Sequence, residues 1–252
     1  MNADNVRRLI EFDTPTIANG LDLLGVCDPS IGYTGPDIRA LMPELGPRVG
    51  IAVTARMDTT SPGAEERRSH PATFYLWLRH IQRAASAAGA AGGGRAGLPV
   101  FAVIESVGLR PRYTVTIGDG MGTLLTMAGV AGFLTNGCIR DIEGVRAVPL
   151  ACWAAGVSPM HGAIRWLDVN TPVVIDGMTV RPGDIVHADA NGALVIPPAV
   201  ADQVYEQAAA VREKERRLFA TLRAEGMTLD RYLASIGRDG GAAPGTEQTT
   251  QG

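Results

Sequence analysis

The sequence has few cysteines and lacks any long apolar run. Three of its 252 residues are cysteines, at positions 27, 138 and 152. Their odd number and the absence of metal-ligand spacing argue against a disulfide framework and favour buried thiols in a reducing compartment. No segment approaches the ~20 uninterrupted apolar residues that span a bilayer, and no apolar stretch follows a basic N-terminal start. We therefore expect a cytoplasmic protein with no membrane partner.

An excess of positive charge is also missing. The formal net charge is −3, and the arginines are scattered along the chain, so there is no basic field of the kind that phosphate backbones require. We expect no nucleic acid as a direct partner. The four histidines form no HxH or HxxxH pair, and His161 and His187 are interpreted as structural or rim residues. The sequence also lacks a GxSxG motif, a P-loop and a Rossmann fingerprint.

Apolar residues make up 46% of the sequence, which is enough to bury the core of one large domain or two small ones. Helical spacing over residues 4–25 predicts two short helices, with Thr14 as a candidate cap and Pro15 in a first turn. The β-rich segment 49–57 predicts a strand. Residues 72–88 predict a further helix.

The middle of the chain predicts a βαβ unit. Residues 98–107 and 131–135 have the apolar composition of buried strands, and a helix is expected between them at 120–128. This order favours parallel strands with a crossover helix. After a helix at 141–147, short strands separated by turn sequences are predicted. We expect these to form an antiparallel sheet wrapped against the first; they lie at 150–154, 173–175, 178–180, 185–188 and 193–196.

The C-terminal part predicts helices and then a tail. Residues 198–222 form a long predicted helix whose alternating charges indicate a solvated face, although such a helix also suits packing on a neighbouring subunit. A last helix is predicted at 228–236. We expect one domain over residues 1–237, with a flexible glycine-rich loop at 89–97, followed by a disordered tail at 238–252.

The adjacent pair Arg140-Asp141 is the first candidate for chemistry. It follows the apolar strand predicted at 131–135, and a buried unpaired charge is costly. The pair could form a structural ion pair with another element, or Asp141 could cap the next helix. Alternatively, a strand's carboxyl end is where open α/β sheets bind ligands, and the two charges could serve one anionic ligand and its cation. A single carboxylate with several waters suits Mg²⁺, and zinc is not expected.

The turn Gly118-Asp119-Gly120-Met121 is the second candidate. It opens the helix predicted at 120–128, so Asp119 could simply be an N-cap that satisfies free backbone amides. In the functional alternative, the amides of Gly120 and Met121 bind a substrate carboxylate, as helix N-termini do. Glycine suits that role because no side chain blocks the approach.

These residues belong to a longer pattern that resembles the family of the regulator of ribonuclease activity A (RraA-like) and the 4-hydroxy-4-methyl-2-oxoglutarate (or 4-carboxy-4-hydroxy-2-oxoadipate) aldolases. The resemblance covers nearly the whole chain. It is carried by residues 13–21 (DTPTIANGL), 50–54 (GIAVT), 129–132 (GVAG), 137–141 (GCIRD), 156–159 (GVSP), 180–184 (VRPGD) and 188–189 (AD). The aldolase branch is marked by Asp, twenty residues and then Arg-Asp, and Asp119 followed by Arg140-Asp141 keeps that spacing.

The resemblance implies a role for each of these residues. Asp141 would bind Mg²⁺ or Mn²⁺ directly, with water supplying most other ligands, and Asp119 would hold a water of the metal. Arg140 would contact the 2-keto oxygen of a pyruvate-like moiety. The turn beginning at Gly118 would bind the carboxylate of that moiety through the amides of Gly120 and Met121.

The resemblance also implies a catalytic acid from the C-terminal helix of a neighbouring subunit. Glu215 is assigned to this role in preference to Glu213.

Two positions depart from the family pattern. Gly144 stands where an acid is frequent, three residues after the Asp of the Arg-Asp pair, and Glu143 lies one place early. Asn136 stands where Asp is common.

The implied activity is a metal-dependent retro-aldol cleavage. A base would take the proton of a 4-hydroxyl, scission of the C3–C4 bond would leave a pyruvate enolate, and protonation would release pyruvate. Oxaloacetate decarboxylation, which passes through the same enolate, is an expected second activity. The implied fold is α/β, a layered α/β/β/α sandwich of the swivelling β/β/α type. The implied assembly is a homotrimer or a homohexamer.

Two alternatives accompany this hypothesis. One is a non-catalytic protein that binds and inhibits a ribonuclease, as the regulator branch does; Asp119 argues against it, because the regulators commonly have glycine there. The other is a pathway-specific enzyme of secondary metabolism that applies the same enolate chemistry to a larger substrate.

Overall fold

The computed structural model describes residues 2–26, 28, 30–61, 71–87 and 98–237. The predicted loop at 89–97 and the predicted tail at 238–252 lie outside these residues, as do Cys27 and His70. The chain divides into two compact units, Met1–Ala209 and Ala210–Gly252. All strands of the described residues belong to the first unit.

The described residues form thirteen strands and seven α-helices. The strands are β1 (Arg39–Ala40), β2 (Arg48–Asp58), β3 (Val100–Val107), β4 (Val115–Ile117), β5 (Val130–Thr135), β6 (Cys138–Ile139), β7 (Ala151–Ala154), β8 (Gly156–Val157), β9 (Arg165–Val169), β10 (Val173–Ile175), β11 (Met178–Val180), β12 (Ile185–Asp189) and β13 (Gly192–Ile196). The helices are α1 (Ala3–Arg8), α2 (Thr14–Leu24), α3 (Pro71–Ala87), α4 (Asp119–Met127), α5 (Ile142–Ala147), α6 (Ala201–Leu222) and α7 (Leu229–Ser235).

Eight strands form one mixed sheet in the order β1-β7-β5-β3-β2-β12-β13, with β9 also paired to β2. The central strands β2, β3, β5 and β7 run parallel. β12 is antiparallel to the first half of β2, and β9 is antiparallel to the second half. β2 and β3 are buried along nearly their whole length, which accounts for their continuous apolar sequences.

Helices and a hairpin cover the two faces of this sheet. Trp77 of α3, Leu125 of α4 and Val145 of α5 belong to the same core cluster as Ala102 of β3. The neighbouring side chain Phe101 points to the opposite face, since strand side chains alternate, and it packs with the β10–β11 hairpin. A third cluster joins α1, α2 and the first turns of α6 to β12 and β13.

A second, small parallel sheet determines where the candidate site lies. β4, β6 and β8 pair in that order, and both pairings are parallel. β6 begins three residues after the end of β5, and β8 begins two residues after the end of β7. The central strands β5 and β7 of the large sheet are therefore followed directly by strands of the small sheet. The sequence does not predict β4, β6 or β8, because two or three residues carry no readable periodicity.

The mixed α/β class is confirmed, whereas the expected separate antiparallel sheet in the second half of the chain is wrong. β7 lies parallel to β5 in the large sheet, and β12 and β13 extend the same sheet beyond β2. Of the strands predicted there, β10 and β11 alone form a sheet of their own. Tight turns correctly predict hairpins, but they do not specify which strand lies beside the hairpin.

The predicted cap of α2 is also wrong. Asp13, not Thr14, is the N-cap, and its carboxylate accepts the amide N–H of Thr16 at 2.9 Å. Pro15 lies in the first turn as expected. Thr14 is instead buried and donates its own amide N–H to Asp189.

The described part of the second unit contains two helical segments joined by a turn at residues 223–228. It contains the C-terminal half of α6 and the short α7, which is capped by the hydroxyl of Thr228 accepting the amide N–H of Arg231 at 3.3 Å. No helix in the described ranges has both the length and the apolar character needed to cross a membrane.

Candidate active site

The carboxyl edge of the small parallel sheet brings together three chain segments. Gly118 follows β4, Arg140 follows β6 and Ser158 follows β8. The amide of Arg140 donates to the carbonyl of Ile117 at 3.0 Å, and the amide of Ser158 donates to the carbonyl of Ile139 at 2.9 Å. The helices α4 and α5 both begin at this edge. Strand ends and helix N-termini are the places where α/β proteins bind anionic ligands.

Asp141 has a backbone conformation that costs energy. Its φ of 54° and ψ of 46° lie in the left-handed region, which non-glycine residues seldom adopt and which is concentrated at functional sites. It occupies the N-cap position of α5, yet its side chain makes no capping hydrogen bond. The capping interpretation of Asp141 is therefore wrong.

Arg140 and Asp141 form an ion pair with each other. The distance between Nε of Arg140 and Oδ2 of Asp141 is 3.1 Å, and the two side chains are 36% and 38% exposed. Among the residues that the structure describes, neither side chain forms an ion pair with another element, as the structural interpretation required. Both groups stay accessible to a ligand.

Gly118 lies directly beneath this ion pair. A Cβ at Gly118 would be 2.5 Å from Oδ2 of Asp141 and 3.1 Å from Nε of Arg140. The φ of Gly118 is −129°, so the glycine is needed for the close approach of these side chains rather than for its backbone conformation. Gly118 is also the N-cap of α4, and as a glycine it has no side chain that could cap the helix amides.

Asp119 is the first residue of α4 and not its N-cap. Its side chain is exposed, and Oδ1 accepts the amide N–H of Gly120 at 2.7 Å. The amide of Gly120, one of the two predicted carboxylate donors, is therefore engaged by Asp119. The amide of Met121, the other predicted donor, has no acceptor among the described residues. A substrate carboxylate could take both only if the Asp119 carboxylate turned away from Gly120.

Gly144, the position where an acid is frequent in the family, contacts Asp119. It lies in α5, and a Cβ there would be 2.6 Å from Cβ and 2.9 Å from Oδ2 of Asp119. The neighbouring Glu143 does not replace an acid at 144, because its carboxylate pairs with Arg146 at 2.8 Å and is 81% exposed. The absence of a side chain at 144 therefore leaves room for Asp119.

Asn136 is the other departure from the family pattern, and its hydrogen bonds account for an amide at this position. Its Oδ1 accepts the amide N–H of Ser106 at 2.6 Å, and its Nδ2 donates to the carbonyl of Ser106 at 3.1 Å. This two-way bond needs a donor and an acceptor on one side chain, which an amide has and an ionised carboxylate lacks. Asn136 therefore joins the ends of β5 and β3.

The predicted acid Glu215 lies in the second unit, on α6. It is half-buried, and no hydrogen bond or ion pair of its carboxylate is found within the described ranges. Glu213, the alternative, forms ion pairs at 2.7 Å with Arg216 and Arg217. These arginines lower the pKa of Glu213 to about 2. Glu215 is thus the less engaged of the two carboxylates, and its catalytic role stays a prediction.

The side chains at the edge fit a hard divalent cation better than a soft one. Within the described ranges, no three His, Cys, Asp or Glu side chains are grouped to hold a metal. Asp141 offers one accessible carboxylate, and Mg²⁺ is the ion that keeps several waters and needs few protein oxygens. Burial raises the pKa of the Cys138 thiol, two residues before Arg140, so a thiolate ligand or nucleophile is disfavoured there.

A second polar cluster, which the sequence did not predict, lies at the other end of the large sheet. Asp189 of β12 accepts amide N–H groups from Thr14 at 2.9 Å and from Asn191 at 2.7 Å. His187 is completely buried, with Nδ1 3.1 Å from the hydroxyl of Thr14 and Nε2 3.2 Å from the carbonyl of Leu9. We call these four side chains the β12 cluster: Thr14, His187, Asp189 and Asn191. The prediction that His161 and His187 are structural or rim residues is confirmed for His187, which is buried in this cluster. His161 is exposed.

The family model described as RraA-like (Aldolase/RraA) matches residues 17–195. This range contains the whole carboxyl edge, with Gly118, Arg140 and Ser158, and all three strands that form it. The chain belongs to the RraA-like family. Glu215 lies outside the matched range.

Curated relatives match parts of this RraA-like chain. An uncharacterized protein of Methanocaldococcus jannaschii is 32% identical over 120 residues, which is 47% of this chain and 57% of that protein. A protein of Ectopseudomonas mendocina named "Putative 4-hydroxy-4-methyl-2-oxoglutarate aldolase" is 35% identical over 85 residues, which is 33% of this chain and 52% of that protein. Protein DlpA of Legionella pneumophila is 34% identical over 48% of this chain and only 22% of its own length. The chain thus spans little more than half of the length of these relatives, or less.

Two solved structures share the fold. An uncharacterized protein from Pseudomonas syringae superposes with a TM-score of 0.67 at 24% identity, covering 93% of this chain and 95% of its own. Streptomyces coelicolor RraAS2, described as an unusual member of the RNase ES inhibitor RraA protein family, gives a TM-score of 0.66 at 23% identity, covering 88% of this chain and 98% of its own. At these identities the likeness concerns the fold alone.

Proposed function

We propose that this protein is a divalent-metal-dependent carbon–carbon lyase that cleaves a 4-hydroxy-2-oxo acid, such as 4-hydroxy-4-methyl-2-oxoglutarate, to release pyruvate. The observation that carries the proposal is the convergence of the Arg140-Asp141 pair with the start of α4 at one accessible edge. Relatives named as aldolases support the same reaction class.

The lysine content supports enolate chemistry without a Schiff base. Lys214 is the one lysine in the sequence, and it is exposed on α6. A lysine that forms Schiff bases with carbonyl substrates is usually activated by desolvation or by a nearby cation. Charge stabilisation must then come from other groups, and at the carboxyl edge Arg140 is the cation in place.

Each residue of the edge has a distinct part in the proposed reaction. Arg140 binds the 2-keto oxygen and offsets the negative charge that develops on it as the C3–C4 bond breaks. The Met121 amide, together with the Gly120 amide when Asp119 releases it, binds the substrate carboxylate. Asp119 orients a water that returns a proton to C3 of the pyruvate enolate. A divalent cation held by Asp141 would supply Lewis-acid stabilisation of the same developing charge.

Oxaloacetate is the second proposed substrate. Loss of its carboxyl group as CO₂ leaves the same pyruvate enolate, so Arg140 and the amides at the start of α4 would bind the same part of the molecule. Decarboxylation needs no base to remove a hydroxyl proton, and it therefore tests the enolate half of the site separately from the retro-aldol half.

Glu215 is proposed to act from a neighbouring copy of the chain. It lies within an apolar stripe of α6, since Val211, Leu218 and Leu222 recur at helical spacing around it. Leu218 and Leu222 are 38% and 40% exposed. A stripe of this kind suits helix packing between subunits in a homotrimer or homohexamer, and it would place an unengaged carboxylate at the interface.

Pyruvate release tests the proposal. The purified chain is incubated with 4-hydroxy-4-methyl-2-oxoglutarate or oxaloacetate and Mg²⁺, and pyruvate is measured over the enzyme-free rate. We expect turnover that a chelator abolishes and that added Mg²⁺ or Mn²⁺ restores. Absence of metal-dependent turnover with both substrates would sink the proposal.

A second candidate function is binding and inhibition of a ribonuclease, which the description of Streptomyces coelicolor RraAS2 as a member of an RNase inhibitor family brings to this fold. Asp119 distinguishes the two functions, because an inhibitor surface does not require a carboxylate at the start of α4. Capture of a purified ribonuclease by the wild-type chain and by an Asp119→Gly variant alike, without any lyase activity, would favour this second function.

A further inference from the structure

The row of strand ends at the carboxyl edge has a third member, Ser158. The last residues of β4, β6 and β8 pair in register across the small sheet, and they are followed by Gly118, Arg140 and Ser158. The amide of Ser158 donates to the carbonyl of Ile139, the residue before Arg140, at 2.9 Å. Ser158 therefore lies next to Arg140, on the side opposite Gly118.

The hydroxyl of Ser158 is open to a ligand. The residue is partly exposed, and within the described ranges its hydroxyl has no hydrogen-bond partner. The side chain of Arg140 leans the other way, since a Cβ at Gly118 would be 3.2 Å from Cγ of Arg140. Because Gly118 has no side chain, Ser158 is the neighbour of Arg140 in the row that offers a side-chain donor.

The loop that follows Ser158 is held at both ends. Pro159 restricts the residue before it to an extended backbone, and the amide of Ser158 is bonded to β6. At the far end, the amide of Ala163 donates to the carbonyl of Thr59 at 3.4 Å, and a Cβ at Gly162 would collide with the same oxygen. Backbone contacts therefore limit the movement of Ser158 relative to the edge.

We propose that Ser158 is a specificity-determining residue that hydrogen-bonds the oxygen on C4 of the substrate. The inference rests on the proposed function, in which the start of α4 binds the C1 carboxylate and Arg140 binds the keto oxygen on C2. Carbons 3 and 4 then extend toward Ser158. Neighbouring strands lie about 4.8 Å apart, so the row from β4 to β8 is about 10 Å long. An extended four-carbon chain with a hydrogen bond of about 3 Å at each end covers a similar length.

This hydrogen bond acts on the retro-aldol step. When a base takes the proton of the 4-hydroxyl, negative charge develops on that oxygen, and the charge passes to the enolate as the C3–C4 bond breaks and the oxygen becomes a carbonyl. Ser158 donates its O–H to this oxygen and keeps its own proton throughout. Pyruvate has no C4, so its enolisation at the same site does not use Ser158. The residue therefore selects for substrates that carry a 4-hydroxyl group.

The first test compares cleavage of 4-hydroxy-4-methyl-2-oxoglutarate with exchange of pyruvate methyl protons in D₂O, both with Mg²⁺. We expect Ser158→Ala to lower kcat/KM for cleavage by about tenfold to a hundredfold, as loss of a hydrogen bond to a charged group does, and to leave the exchange rate unchanged. Ser158→Thr keeps the hydroxyl and should keep both rates.

Val157→Ala is the matched control. Val157 is the register partner of the buried Ile139, and its side chain lies on the opposite face of the small sheet from that of Ser158, because strand side chains alternate. Its replacement should change neither rate. Unchanged cleavage in Ser158→Ala would overturn the inference, and so would an equal loss of cleavage and exchange, which indicates damage to the whole edge.

A second measurement needs no turnover. A wild-type chain that does not cleave the 4-hydroxy acid refutes the proposed function, and a calorimetric titration then decides the inference. Ser158→Ala should bind the uncleaved 4-hydroxy acid about twofold to tenfold more weakly than the wild type, with unchanged affinity for pyruvate. Equal affinities of wild type and variant for the 4-hydroxy acid, or no binding by either, would reject Ser158 as a substrate-binding residue.

Discussion

The carboxyl edge of the small sheet and the β12 cluster place acidic residues in opposite circumstances. Asp189 in the β12 cluster is 6% exposed, and backbone amides on two separate segments occupy both of its oxygens. Asp141 at the carboxyl edge is accessible, pairs with its own neighbour Arg140 and sits on a strained backbone. A carboxylate whose hydrogen bonds are complete thus stabilises the fold, whereas one that is left accessible at an energetic cost is available to a ligand.

The largest expected effect comes from removing the cation of the carboxyl edge. Arg140→Gln keeps much of the side-chain length and removes the charge that would stabilise the enolate, so kcat/KM for pyruvate release should fall by about 10²- to 10³-fold. Steady-state kinetics with oxaloacetate measures this loss.

Arg146→Gln is the matched control. Arg146 lies in α5 but pairs on the surface with Glu44 and Glu143, at 2.9 and 2.8 Å. Its replacement should leave kcat/KM unchanged. An equal loss in the two variants would mean that charge near α5, and not the Arg140-Asp141 pair, supports the reaction.

The β12 cluster should respond to pH through stability instead. Burial is the main cause that lowers the pKa of His187 to about 4, below the value near 6.5 of an unfolded chain. The unfolded state then binds the proton first as pH falls, so stability is complete above about pH 6.5 and declines toward pH 4, by up to about 3 kcal/mol.

Urea unfolding at several pH values between 7 and 4 measures this decline. A His187→Gln variant should be less stable at pH 7 and should show a flatter dependence of unfolding free energy on pH. If native and variant chains lose stability in parallel over this range, His187 is not the group responsible.

The smallest expected effect is at Glu143. Its carboxylate is mostly exposed and pairs with Arg146, and surface pairs of this kind contribute little. Glu143→Gln should change kcat/KM by less than about twofold, because the exposed carboxylate pairs with Arg146 and not with a residue of the carboxyl edge. A tenfold loss in kinetics with oxaloacetate would show that Glu143 takes over the acid missing at position 144.

Sequence reasoning predicted the elements better than their arrangement. Long periodic segments such as α3, α6 and β3 lie within three residues of their predicted bounds, because apolar periodicity reports burial directly. The short strands β4, β6 and β8 have no such signal, and they are the strands that bring Gly118 and Arg140 together. The contact between Gly144 and Asp119 depends on the approach of two helices, which local sequence does not encode.

Contacts between distant segments also limited what the sequence could predict about the functional site. The sequence predicted that Arg140 and Asp141 lie just past the carboxyl end of a strand, and Arg140 does follow β6. It could not show that Asp119 engages the Gly120 amide. It also gave no sign of the β12 cluster, since Thr14 and Asp189 are 175 positions apart. Hydrogen bonds across such separations become visible only in the folded chain.

A comparison of two Asp→Asn variants tests the central claim most directly. Mg²⁺-dependent pyruvate release from oxaloacetate is measured for the wild-type chain, Asp141→Asn and Asp189→Asn at a temperature where all three are folded. Asparagine tolerates the left-handed conformation of Asp141, so Asp141→Asn should keep its melting temperature and lose nearly all turnover. Asp189→Asn should lower the melting temperature and keep turnover. The opposite pattern, with activity lost at Asp189 and kept at Asp141, would contradict the assignment of the carboxyl edge as the active site.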